Sequence, residues 1–106
     1  MNYENVRELK INEKISLSVK TKNNVCNIEV KLNVENYDTS FEKIEQIIHQ
    51  INSDSVFGFF ELYEKQLFFK KISREKINEI TLTRWVNSSI ASIISLSRML
   101  EVVINE

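Results

Sequence analysis

The chain has 106 residues, 42% of them apolar and 27% charged, and its 14 basic and 15 acidic side chains leave a net charge of −1. That is the length and balance of one globular domain spanning residues 1–106, able to bury most of the surface its unfolded chain exposes. The charge balance supplies no positive field for a phosphate backbone, which argues against a nucleic-acid partner, and the single cysteine can form neither an internal disulfide nor a multi-thiolate metal site.

The first stretch, MNYENVRELKINEK, has no apolar segment with a small-residue cleavage site, so no secretion signal is expected. Met1 to Asn12 reads as a short helical turn, with Tyr3 and Val6 on one face, followed by an irregular entry. Leu9 and Ile11 are candidates for the start of a strand. From Ile15 the pattern clears. Ile15, Leu17 and Val19 alternate with Ser16, Ser18 and Lys20, the period of a half-buried strand. Thr21-Lys22-Asn23-Asn24 supplies a turn, since Asn tolerates positive φ. Cys26, Ile28, Val30, Leu32 and Val34 then alternate with Asn27, Glu29, Lys31 and Asn33. The two strands predict an antiparallel hairpin with one wet face, its register fixed because a one-residue slip would put every apolar side chain in water.

Thr39-Ser40-Phe41-Glu42 reads as a capping box. The helix it opens carries Phe41, Ile44, Ile47, Ile48 and Ile51 on one stripe. Five of the six Phe residues follow between Val56 and Ile72. This stretch predicts a second hairpin, apolar on both faces. In its first strand, Val56, Gly58, Phe60 and Leu62 fall on one face and Phe57, Phe59, Glu61 and Tyr63 on the other. In its second, Leu67 and Phe69 oppose Phe68 and Ile72. A strand apolar on both faces is central in a sheet or reserves one face for a partner. Gly58, the only Gly in a chain without Pro, marks a bulge or a close approach.

Arg74 to Ile80 reads as a short first turn. A long helix from about Thr83 to Ile104 places Leu82, Trp85, Val86, Ile90, Ile93, Leu96 and Leu100 on a wide core stripe, continued by Val103 and Ile104. Ser88, Ala91, Ser92 and Ser95 make a small-residue strip beside it. The longest uncharged run, Trp85 to Ser97, has 13 residues and holds five serines, too short and too polar to span a bilayer. The expected fold is therefore α+β, an antiparallel sheet of two hairpins with helices packed on it, in the order (α)-β-β-α-β-β-α.

No catalytic constellation accompanies this frame. His49, the only histidine, falls well off the apolar stripe of its helix, and no second His or Cys stands at ligand spacing. Cys26 sits on an apolar strand face, where burial opposes thiolate chemistry. One Gly cannot build a phosphate-cradling loop. The carboxylates alternate with Lys and Arg as on solvated faces. No enzyme activity, cofactor or metal is expected. What stands out is surplus apolar surface, and the candidate partner-binding residues are Phe57, Phe59, Tyr63, Phe68, Ser88, Ser92 and Ser95.

From Phe41 onward, FEKIEQIIHQINSDSVFGFFELYEKQLFFKKI followed by IASIISLSRMLEVVI resembles the YbjN-like and type III secretion chaperone group. There too a helix ends in an Asn-containing turn, a VFGFFEL-like strand and a short apolar strand follow, and a long helix closes the domain. The resemblance implies a type III secretion chaperone-like α+β fold. It also implies a non-enzymatic, cytoplasmic role in binding a protein partner or client, often as a homodimer. It carries over no catalytic residues. The alternative expectation is a small immunity-type protein that neutralises a toxin by blocking its active site.

Overall fold

Seven elements follow one another: β1 (Asn5–Lys10), β2 (Ile15–Lys22), β3 (Val25–Asn33), α1 (Phe41–Asp54), β4 (Phe59–Tyr63), β5 (Gln66–Ser73) and α2 (Glu79–Ile104). They are seen in a computed structural model that describes residues 5–35, 37 and 40–104, with side chains through residue 100. The strands make one five-stranded sheet in the order β1-β2-β3-β5-β4, antiparallel at every step. The α+β class and both expected hairpins are present. The expected N-terminal helical turn is not: residues 5–10 form a strand. Val6, expected on a helix face with Tyr3, lies in β1, and Leu9, a candidate for the start of a strand, is in the same strand. Every residue of β1 is exposed, so no buried face imposed alternation on its sequence. Tyr3 lies outside the described residues.

The first hairpin pairs as its alternation requires, with Leu17 opposite Val30 and Val19 opposite Ile28. Its loop is two residues long, and Asn23 takes φ 54° there. Ahead of β2, the Asn12 side chain accepts from the amides of Lys14 and Ile15 at 2.8 and 2.9 Å and turns the chain back from β1. α1 begins at Ser40, whose Oγ accepts from the Lys43 amide at 3.2 Å. The cap is therefore Ser40 and not the predicted Thr39, which lies outside the described residues. α2 starts earlier than expected. Asn78 caps it by accepting from the Thr81 amide at 2.8 Å, and residues 74–78 form no helical turn.

One face of the sheet is covered. Ile15, Leu17 and Val19 of β2, Cys26, Ile28, Val30 and Leu32 of β3, Val34 just beyond it, Phe60, Leu67 and Phe69 meet Ile44 and Ile48 of α1 and Ile93, Leu96 and Leu100 of α2 in one core. Phe41 is exposed at the start of its helix, against the expected stripe. Ser89 is fully buried on α2, and its hydroxyl returns to the Trp85 carbonyl at 2.7 Å. A small side chain at that position lets the helix settle close to the sheet while its polar atom stays satisfied.

The Phe-rich hairpin closes through Glu64-Lys65, both at positive φ, 48° and 66°, as a two-residue type I′ turn requires. Its first strand begins three residues later than its sequence suggested, at Phe59 and not at Val56. Phe57 precedes β4 and does not share the face of Phe59 and Tyr63. It stacks on Phe69 at 6.1 Å and meets Trp85 edge-on at 6.2 Å. Lys71 lies over both rings, 4.8 Å from Phe57 and 4.6 Å from Trp85. Val56, predicted to share a face with Phe60, precedes the strand and is fully exposed, whereas Phe60 is buried.

Asn52, at the end of α1, finishes the outer edge of β4. Its Nδ2 donates to the Phe60 carbonyl at 2.8 Å and its Oδ1 accepts from the Phe60 amide at 2.7 Å. The carboxamide thus satisfies both groups that a neighbouring strand would otherwise take. Asn52→Ala leaves two part-buried backbone groups without partners and is expected to lower stability by about 2 kcal/mol. Urea unfolding reads it, and Gln50→Ala, an exposed neighbour on the same helix, should change little.

Candidate functional site

Among the described residues no helix lies on the second face of the sheet. Alternation sends the polar half of each strand there, so that cross-strand rows read Glu8, Ser18, Glu29, Lys70, Phe59 and Lys10, Ser16, Lys31, Phe68, Glu61. A third row joins Asn33, Gln66 and Tyr63. Glu8, Lys10, Lys31, Gln66 and Phe68 line one shallow depression across it. The β1, β2 and β3 part of this face is polar and mixed in charge. The β4 and β5 end is aromatic.

That end holds three of the predicted partner-binding residues. Phe59 is 39% exposed, Tyr63 is 60% exposed, and Phe68 lies half-buried between the rows. Ile72, 46% exposed, extends the patch along β5. Polar groups frame it: Lys70 sits 3.5 Å from Glu61 and 5.5 Å from the Phe68 ring centre. The strand pairing explains the cluster. Phe68 is directly opposite Glu61, and Tyr63 opposite Gln66, so the aromatic side chains stand on neighbouring rows of one pleated surface. Three buried polar atoms also belong to this face. Ser18 Oγ, Asn27 Oδ1 and Gln66 Oε1 find no hydrogen-bond partner among the described residues.

The other four predicted residues are elsewhere. Phe57 is part of the ring cluster with Phe69 and Trp85 on the helix side. Ser88 and Ser95 are exposed on the outer side of α2, turned from Ile93, Leu96 and Leu100. Ser92 gives its hydroxyl to the Ser88 carbonyl at 2.9 Å. The serine strip and the aromatic patch therefore lie on opposite sides of the molecule and do not form one surface. Sequence reasoning gave no role to Ser97, whose Oγ shares a 2.8 Å hydrogen bond with the Tyr37 hydroxyl. Residues sixty positions apart leave no local pattern by which such a bond could be found.

Among the described residues no set for acid–base or nucleophilic chemistry comes together. His49 is exposed on α1. Cys26 is buried, and loss of hydration raises its pKa above the ordinary thiol value, which keeps it neutral. Among the described residues no three His, Cys, Asp or Glu side chains are gathered as metal ligands, and no helix is long and apolar enough to cross a membrane. Compared with known proteins, the chain matches no protein-family model, no curated protein and no solved structure.

Proposed function

We propose that the protein is a non-enzymatic protein-binding module, adaptor-like or chaperone-like, that takes a partner on the uncovered sheet face around Phe59, Tyr63 and Phe68. The observation that supports this reading is the asymmetry of the sheet. Two helices cover one face from β2 to β4, while the other keeps an aromatic cluster in water with a charged surround. Exposed aromatic side chains ringed by polar groups are the composition of a protein–protein contact, with apolar anchors in the middle and charges at the rim. The pattern shared with the YbjN-like and type III secretion chaperone group agrees with such a role, and so does a place in the cytoplasm for a chain with one buried thiol.

A photo-crosslinking residue at position 63 tests it in cells that naturally make the protein. A discrete adduct is expected from position 63 and none from position 88 on α2. Phe59→Ser together with Phe68→Ser should abolish the adduct while the helical circular dichroism stays unchanged. Absence of any discrete adduct at position 63, or equal adducts from both positions, would remove the reading. The alternative, an immunity-type protein, draws on the acidic residues beside the same patch. Charge reversal at Glu61 or Glu64 would then lower the association rate strongly, and the captured partner would be a toxin held in an inactive complex.

A further inference from the structure

The two edges of the sheet are not alike. The β4 edge is occupied at Phe60 by the Asn52 carboxamide. Among the described residues none covers the β1 edge in this way, and all six residues of β1 are exposed. The direction of its free groups can be read from the pairing. The Ile11 amide donates to the Ile15 carbonyl at 2.9 Å. Alternation then turns the backbone groups of Leu9, Arg7 and Asn5 toward β2 and those of Val6, Glu8 and Lys10 outward. Leu9, 60% exposed, is at the end of the row that continues through Leu17, Val30 and Phe69 into the core.

We infer that β1 pairs antiparallel with β1 of a second copy, in a register centred on Leu9, to make one continuous ten-stranded sheet. Charge selects this register. Two-fold pairing in a sheet sets one residue against itself, and its neighbours against each other in reverse order. Centring on Arg7 opposes two arginines, on Glu8 two glutamates, and on Lys10 two lysines. Centring on Leu9 opposes Leu9 to its own copy and places Glu8 against the second copy's Lys10 on both sides of the axis. The outward backbone groups of Glu8 and Lys10 then exchange hydrogen bonds, and Leu9 takes the closer, non-hydrogen-bonded position. The two leucines cover each other on the helix side. Opposite charges pair on the other side, where like charges would be destabilising. The charges that oppose the neighbouring registers are the ones that close this one. The inference does not depend on the aromatic patch, which belongs to β4 and β5.

Sedimentation velocity on the full chain tests it, with concentration raised through the micromolar range. The expected mass is twice that of the 12.5 kDa chain. Glu8→Lys alone or Lys10→Glu alone should return it to the monomer, by setting like charges across the seam. The double exchange, Glu8→Lys with Lys10→Glu, should restore the dimer. Since β1 is exposed throughout, all three variants should keep the wild-type far-ultraviolet circular dichroism, which separates loss of pairing from loss of folding. Leu9→Cys should give a disulfide-linked dimer on mild oxidation, because directly opposed strand positions lie within the span of that bond. A wild-type chain that stays monomeric, a dimer indifferent to both single exchanges, or a double exchange that stays monomeric overturns the proposal. Phe59→Ser and Phe68→Ser should leave the dimer intact, so failure of the aromatic-face reading and failure of this one remain distinct.

Discussion

Phe69→Ala is expected to cost about 3–5 kcal/mol of folding stability, a large share of the roughly 5–15 kcal/mol that holds a domain of this size together. Phe69 is buried at 3% exposure. Its ring stacks with Phe57 at 6.1 Å and meets Phe60 edge-on at 4.9 Å. Phe57 in turn contacts Trp85 of α2. One side chain of β5 therefore joins the strand beside it, the segment leading into that strand, and the long helix above. Truncation leaves a ring-sized void that three separate elements would have to close together, and rigid strands do not collapse readily into such a space. Urea unfolding followed by Trp85 fluorescence reads the loss as a midpoint lowered by more than about 1 M, at the slope usual for small domains. Phe59→Ala is the comparison, because Phe59 lies in the adjacent strand with its ring on the open face. It should cost less than about 1 kcal/mol. Equal losses at the two positions would mean that the ring cluster is not the centre of the core.

The second large effect has a sign that ordinary reasoning would reverse. Gly58 does not take positive φ. At such a position Gly→Ala usually stabilises by about 0.4–1 kcal/mol, because it restricts the unfolded chain. Here a Cβ would stand 2.6 Å from the Lys70 carbonyl oxygen and 2.6 and 2.9 Å from two ring atoms of Phe69. Gly58→Ala is therefore expected to destabilise by about 2–3 kcal/mol, the cost of forcing a methyl group into filled space. The two contacts can be separated. Phe69→Leu removes the ring but leaves the carbonyl, so Gly58→Ala should cost less in the Phe69→Leu background than in the wild type and still not become stabilising. A double-mutant cycle by urea unfolding measures the difference. A neutral or stabilising Gly58→Ala in the wild type would show that β5 does not approach this closely.

The same glycine shows how the sequence could be read. A lone Gly among aromatic residues predicted a close approach, and the Phe69 ring and the Lys70 carbonyl are what approaches. The alternation of β2 and β3, the core stripe of α1 from Ile44 to Ile48, and the inward turn of Ile93, Leu96 and Leu100 were equally legible, because each buries one side against an apolar neighbour. What escaped was set by other forces. β1 has no buried face, so nothing in its sequence alternates. Phe57 took the wrong side on paper because strand period was extended through Gly58 to a residue that precedes the strand. Asn12, Asn52 and Asn78 are three asparagines of one composition. Only the fold shows that the first turns the chain, the second finishes a sheet edge, and the third caps a helix. The aromatic patch was legible in part: Phe59 and Tyr63 share a face as their spacing implied, and the pairing of β4 with β5 brings Phe68 onto it. The serine strip was placed correctly on α2, but its distance from the patch depends on which face of the sheet the helix covers.

Asn52 also decides how large any assembly can become. In the language of polymer chemistry, a unit with two reactive ends propagates, while a unit with one can only couple and stop. By satisfying the Phe60 backbone from its own side chain, the protein obstructs strand addition at the β4 end and leaves β1 as its more reactive end. Coupling at β1, as inferred above, then leaves an obstructed edge at each extremity, which disfavours growth beyond two subunits.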